Sequence, residues 1–210
     1  SIYADNLMLL INNTESIMRA TAAEMRFASD DRLHEDLRSV ATQLPQLRTL
    51  LLISPDGLVV FDSRSNEAAI GIDVTDRGYF QIHLDEAHHG LFVDRPVRSR
   101  IDGAWSLPIS LGVHDTQGDL LGVVVASIDP VFFSGVLSTV ASDQIDLYGY
   151  IISPDGIILT EVPFDASSVN KVLEGLANVD YTNIDNDASQ TIMVSQETHI
   201  IGEYVVPPYG

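Results

Sequence analysis

The chain has 210 residues, with thirty Asp and Glu against eleven Lys and Arg and a formal net charge of −19. Apolar residues make up 45% of it, so it is a globular chain long enough to bury a core unaided. Such acidity excludes nucleic acid and anionic membrane surfaces as partners, and the absence of cysteine excludes disulfides, thiolate metal sites and cysteine nucleophiles.

Residues 1–28 read as one long helix. Leu7, Ile11, Thr14, Met18, Ala22 and Met25 follow one another at spacings of three or four, and neither Pro nor Gly interrupts residues 1–44. Such a helix would span about 42 Å. That is more than a compact core needs, and it suits a stalk that packs on the domain and on a second copy of itself. A second helix is expected from Asp30 or Asp31 to about Gln43, ended by Pro45.

The period then changes. Leu50 to Ile53 is an apolar run, Ser54-Pro55-Asp56-Gly57 is a turn, and Leu58 to Phe61 is a second run, which together predict a β-hairpin. The same pattern returns 99 residues later. Tyr150-Ile151-Ile152 leads into Ser153-Pro154-Asp155-Gly156 and on into Ile157-Ile158-Leu159. Two copies suggest two related α+β modules in tandem.

Between the hairpins, Asp76 to His89 reads as a short helix or loop. Leu91 to Val93, Trp105 to Val113 and Leu120 to Ile128 read as strands. In the second half a helix is expected over Asp165 to Ala177. Strands are expected over Thr191 to Val194 and Ile200 to Val206, around a turn at Gln196 to His199. The division is residues 1–46 as a helical stalk, 47–141 as a first module and 142–210 as a smaller second one.

Charge is unevenly placed. Ten arginines fall within the first hundred residues, and after them only Lys171 is basic. Arg95, Arg98 and Arg100 lie within six positions, a candidate anion site in so acidic a chain. The competing role is pairing with Asp94 and Asp102. His83, His88 and His89, with Asp85 and Glu86, lack the helical spacing of a zinc pair. No phosphate loop, nucleophile elbow or dinucleotide fingerprint occurs, so no metal, cofactor or catalytic residue is assigned. No run of about 20 apolar residues or signal peptide is present. Ser1-Ile2-Tyr3 and Val206 to Gly210 read as cuts within a longer chain.

Ile70-Gly71-Ile72-Asp73-Val74-Thr75-Asp76-Arg77-Gly78-Tyr79-Phe80 resembles a segment of bacterial double-Cache sensor domains, the PAS-like extracytoplasmic domains also called PDC domains. Pro96 to Arg100, with Gly103 to Ser110, is similar to the stretch that follows it there, and Gly118 to Asp129 to the closing strand of the distal module. The resemblance implies an α+β fold: a long N-terminal helix carrying two tandem PAS-like modules, each a mainly antiparallel sheet with flanking helices. It implies an extracytoplasmic, periplasmic domain of an inner-membrane protein. Transmembrane helices would flank it and a histidine kinase, diguanylate cyclase or chemoreceptor module would lie inside. A homodimer through the N-terminal helix is expected, with no enzymatic activity in this fragment itself.

In that family, small ligands bind the distal module between its sheet and the helix–loop covering it. Carried over by position, the ligand-binding residues are Arg77, Tyr79, Phe80, Arg98, Ser99, Trp105, Ser106, Ser110, Ser127 and Asp129. The expected ligand is a small carboxylate held by arginine, or an amino acid whose amine Asp129 would take. Two competing roles stand beside this: Tyr79, Phe80 and Trp105 as core aromatics, and Asp129 as the cap of a helix starting at Pro130. The alternative functions are a periplasmic solute-binding protein without signalling output, a ligand-free dimerisation or protein-contact domain, and a hydrolase acting through Ser99 or Ser110.

Overall fold

The computed structural model describes residues 12–22, 35, 37–39, 41–42, 44–64, 67–85, 90–138, 149–153, 155–173, 190–194 and 197–201. The fold is α+β. Strands β1 (Leu47–Ile53), β2 (Val59–Asp62), β3 (Leu91–Val93), β4 (Val97–Arg98), β5 (Trp105–His114) and β6 (Leu120–Ile128) form one sheet in the order β2-β1-β6-β5-β3, with β4 beside β5. Every pairing in it is antiparallel.

Period-two alternation divides this sheet into two faces. Leu50 and Leu52 of β1, Phe61 of β2, Leu107, Ile109 and Leu111 of β5, and Val124 and Ala126 of β6 join one apolar cluster. Met18, Leu37 and Phe133 cover that face. Residues 12–22 are helical and bury Thr14, Met18 and Thr21 along one stripe. Phe133 comes from the helix Pro130–Ser138. The opposite face carries Leu51, Ile53, Val59, Val123 and Val125, and packs against Val74, Tyr79 and Phe80 of the covering segment.

The first hairpin forms as its turn chemistry dictates. Gly57 takes φ 79° and its amide donates to the Ser54 carbonyl at 2.9 Å, while the Ser54 amide donates to the Leu58 carbonyl at 2.9 Å. The second hairpin, β7 (Gly149–Ile152) and β8 (Ile158–Val162), repeats this with Gly156 at φ 77° and the same two bonds made by Gly156 and Ser153. The repeat extends beyond the turn. Val59 donates to Ile72, Gly71 to Val59, and Val74 to Gly57; at the same offset Ile158 donates to Lys171, Asn170 to Ile158, and Leu173 to Gly156. Even the positive φ of Gly71 recurs at Asn170, at 66°.

Two expectations are corrected here. Residues 165–173 are turns, not the start of a helix. Asp165 turns its carboxylate onto the Ser167 amide and hydroxyl, Asn170 is left-handed, and Val172 bridges Ile157. In the last hairpin, β9 (Gln190–Val194) pairs β10 (Glu197–Ile201), so Glu197 to His199 are strand rather than turn. The expected helical residues 1–11, 23–28 and 174–177, and strand residues 202–206, lie outside the described residues.

Candidate functional site

A cavity, open at its mouth, lies between the sheet and its covering segment. Its floor is one row of the sheet. Thr49 of β1 is the register partner of Ser127 on β6, and Ser127 that of Pro108 on β5. Ser106 and Ser127 share a hydrogen bond of 2.5 Å between their hydroxyls. Ile72, Val74, Arg77 and Tyr79 form the roof, and Val97 to Ile101 form a side wall.

The roof is held by Asp94. Its carboxylate accepts the Tyr79 amide at 2.8 Å, at the start of the short helix Gly78–Gln81. Gly78 packs so closely on that carboxylate that a Cβ there would lie 2.8 Å from its Oδ2. The roof and Asp94 thereby fix where Arg77 and Tyr79 point.

Five arginines line the cavity: Arg48, Arg64, Arg77, Arg98 and Arg100. Arg48 Nη2 donates to Asp102 Oδ2 at 2.6 Å, and Arg64 Nη1 lies 3.7 Å from the same oxygen. Burial pushes the Asp102 carboxyl up. The Ser99 hydroxyl, the Ala104 amide, Arg48 and Arg64 outweigh that, and its pKa is lowered overall. Arg100 donates to Asp76 at 2.6 Å and to the Asp73 carbonyl. The bond from Arg100 is the largest cause holding the Asp76 carboxyl below its usual value. Arg77 and Arg98 bond only carbonyls among the described residues: Arg77 Nη2 to Arg98 at 3.0 Å, and Arg98 Nη1 to Gly103 at 3.1 Å. The Arg77 Nε–H is buried with no acceptor among the described residues. The Arg98 guanidinium lies 4.1 Å from the centre of the Trp105 ring.

Of the residues carried over from the resemblance, Arg77, Tyr79, Arg98, Ser99, Ser106 and Ser127 line this cavity; Phe80, Trp105, Ser110 and Asp129 do not. Phe80 turns into the apolar cluster under Gly57. Ser110 shares the floor's face but is sealed by His83, whose Nε2 lies 2.8 Å from its hydroxyl oxygen. Trp105 has the other parity of β5 and donates its indole N–H to the Ala166 carbonyl at 2.8 Å. Asp129 accepts the Val131 amide at 2.9 Å and so caps the helix Pro130–Ser138. Asp129→Ala should therefore cost about 1 kcal/mol of stability and leave any ligand response intact, which paired denaturation and ligand titrations will check.

Sequence reasoning missed Arg48, Arg64 and Thr49. Arg48 has the parity of Leu50 and Leu52, which face the helices. The ladder shifts between Leu47 and Thr49, where two residues of β1 advance against one of β6. That bulge re-aims Arg48 to the cavity.

Tyr79 gives a pH-dependent signature. Burial pushes its phenol up to about 12, against opposing pulls from Arg77 and Arg100. An unfolded tyrosine ionises near about 10. Stability from keeping Tyr79 neutral is thus complete below that pH and is lost as pH rises toward the folded value. The expected loss by the top of that range is about 2 kcal/mol. Urea denaturation at pH 9 and pH 11.5 should show a smaller pH-induced loss for Tyr79→Phe than for the unsubstituted protein.

No family model matches the sequence, and no curated protein matches it. Solved structures do. The extracellular domain of rpHK1S-Z16, described as a histidine kinase, aligns at 26% identity over 81% of this chain and 70% of its own, with a TM-score of 0.69. The ligand-binding domain of the Pseudomonas aeruginosa PAO1 amino acid chemoreceptor PctC, solved with GABA, aligns at 19% identity over 82% of this chain and 76% of its own, at 0.65. That of the Pseudomonas fluorescens chemoreceptor CtaA, solved with L-serine, aligns at 16% over 94% and 82%, at 0.70. The last two are likenesses of fold. All three are extracellular or ligand-binding domains rather than catalytic ones, in agreement with the Cache-type sensor resemblance carried by Ile70 to Phe80. Among the described residues no helix is long and apolar enough to cross a membrane, and no group of three or more His, Asp or Glu could hold a metal ion.

Proposed function

We propose that this chain is the extracytoplasmic ligand-sensing part of a transmembrane signal transducer with a histidine kinase or diguanylate cyclase output, and that residues 47–141 bind a small carboxylate or amino acid. The observation that carries this reading is the pair Arg77 and Arg98. Both line the cavity, and neither forms an ion pair with a carboxylate among the described residues. A guanidinium binds a carboxylate through two parallel hydrogen bonds, and it does so most strongly where water is excluded. The solved neighbours support the reading, since two of them hold GABA and L-serine as bound ligands.

Residues 142–210 act in this proposal as the membrane-proximal module. The hydrogen-bond pattern repeated about both Ser-Pro-Asp-Gly turns supports the division. Ligand in the first module biases one of two packings of modules and stalk, and the helical stalk expected over residues 1–46, paired with that of a second copy, carries the bias inward. A thermal-shift screen against small carboxylates and amino acids tests this. A ligand at 100 times its Kd should add about 2.7 kcal/mol, a shift of a few degrees. The shift must vanish in Arg98→Ala and persist in Asp129→Ala. If no compound shifts the protein, or if Arg98→Ala still responds, the ligand-sensing reading falls.

A further inference from the structure

The turn that joins β4 to β5 bridges the gap between the sheet and the covering segment. Three consecutive residues in it reach three different places. Arg100 donates to Asp76 at 2.6 Å and to the Asp73 carbonyl, both in the covering segment. Asp102 accepts Arg48 of β1 at 2.6 Å and lies 3.7 Å from Arg64, just beyond β2. Ile101, between them, lines the cavity and packs on the apolar cluster under the covering segment. The turn is thus tied to the roof on one side and to the sheet on the other, with an apolar side chain seated between.

The turn holds its own shape. The Ser99 amide donates to the Ala104 carbonyl, and the Gly103 amide to the Ser99 carbonyl, each at 2.9 Å. The Ser99 hydroxyl accepts the Ile101 amide at 3.2 Å, and the Asp102 carboxylate accepts the Ala104 amide at 3.2 Å. Its backbone attachment is slight by comparison, since β4 pairs only Val97 and Arg98 with β5. Such a preformed turn opens as one body once its side-chain ties are broken.

The ties balance without any further ion. Arg64 Nε also lies 3.8 Å from the buried carboxylate of Asp62, so Arg48, Asp102, Arg64 and Asp62 alternate in sign and carry no net charge. Arg100 and Asp76 form a second neutral pair. These ties are also within reach of salt. Side-chain exposure is 38% at Asp102, 37% at Arg100 and 64% at Asp76, and ion pairs that water reaches weaken as ionic strength rises.

We propose that Ser99–Ala104 is a strap that the ion pairs of Asp102 and Arg100 hold closed along one side of the cavity without any ligand, and that ionic strength sets how often it opens. The strap acts on the cavity whatever the cavity holds. Its use in signalling rests on the sensing reading above: the domain would then report its ligand with a gain set by the salt around it.

The chain has no cysteine, so one introduced thiol reports opening without background. Ser127→Cys places it on the cavity floor, where the native residue is 8% exposed. Its alkylation by iodoacetamide, an uncharged reagent, is timed at low and high NaCl. Raising the salt from about 0.05 to about 0.5 M should speed labelling about fivefold. Adding Asp102→Asn should give the faster rate already at low salt and remove most of the salt response. A thiol at the exposed Gln117, introduced as Gln117→Cys, should label at a rate independent of salt. Tryptic cleavage between Arg100 and Ile101 in the cysteine-free chain should accelerate in the same conditions. If Asp102→Asn does not fold, Arg100→Gln releases the other side of the strap and takes its place. Labelling of Ser127→Cys that ignores both salt and Asp102→Asn overturns the strap. An equal salt response at Gln117→Cys overturns it too, because the effect would not belong to the cavity. Acceleration by salt but not by Asp102→Asn overturns the role given to these ion pairs. No ligand enters the measurement, so each of these failures leaves the sensing reading to its own thermal-shift test.

Discussion

Gly57→Ala will destabilise the protein by about 3 kcal/mol, and Gly156→Ala by only about 1 kcal/mol, although the two glycines occupy the same place in the same turn. Both have positive φ, 79° and 77°, so each substitution carries the cost of a left-handed non-glycine residue. They differ in what lies above them. A Cβ at Gly57 would run into the Thr75 methyl and sit 3.2 Å from the Phe80 ring, both part of the segment that roofs the cavity. A Cβ at Gly156 meets nothing within 4 Å. Chemical denaturation of the two variants side by side reads the difference. Equal losses would show that the roof gives way freely around Gly57, contrary to its close packing on Phe80. Because Thr75 and Phe80 flank Arg77 and Tyr79, Gly57→Ala should also weaken ligand binding beyond its effect on stability.

Trp105→Ala will cost about 3 kcal/mol and loosen the contact between the two halves of the chain. The indole N–H bond to the Ala166 carbonyl contributes about 1 kcal/mol and the stacked Arg98 guanidinium about another 1 kcal/mol, with lost apolar contact supplying the rest. Trp105→Phe keeps the ring face and removes only the N–H, so it should cost about 1 kcal/mol. Hydrogen exchange localises the effect. Amides over residues 165–173 should lose protection in both variants, while those of β1 and β6 should not. Other contacts among the described residues also join the halves: Arg95 with Asp155, the Thr160 hydroxyl with the Pro130 carbonyl at 2.7 Å, and Leu159 within the apolar cluster on the helix side of the sheet. The halves should therefore stay docked, and protection in 155–162 should fall less than in 165–173. Unchanged protection over 165–173 would count against Trp105 as a link between them. Arg98 touches both the cavity and Trp105, so ligand drawing on its guanidinium acts on the side chain that reaches the second half.

Both Ser-Pro-Asp-Gly hairpins were legible in the sequence because their cause is local: a proline for the bend, a glycine for positive φ, and apolar runs on both sides. The strands at Trp105 and Leu120 were legible through period and length. The helix expected over Asp165 to Ala177 was not, because side-chain bonds from Asp165 and a left-handed Asn170 overrode a permissive composition. In the site, Arg77, Arg98, Ser99, Ser106 and Ser127 could be placed by resemblance alone. Trp105 could have been set aside by parity, since it alternates with Ser106 and Pro108 and shares its face with Leu107 and Ile109. Ser110 passes the parity test and still lies outside the cavity, because a histidine 27 residues away seals it. No local pattern reveals that contact. Arg48 was hidden for the opposite reason: its parity pointed to the helices until the ladder slipped.

That slip bears on how such a cavity changes over evolutionary time. A bulge is one extra residue, so deleting Leu47 would let β1 pair regularly, with Arg48 opposite Ile128 on the far side of the sheet. The cavity would lose a positive charge with no codon changed for another amino acid. Selectivity for ligand charge in this architecture can therefore drift by single-residue insertions and deletions near the start of β1. Two chains with the same alphabet of lining residues, offset by one position there, would present different charges to the same ligand.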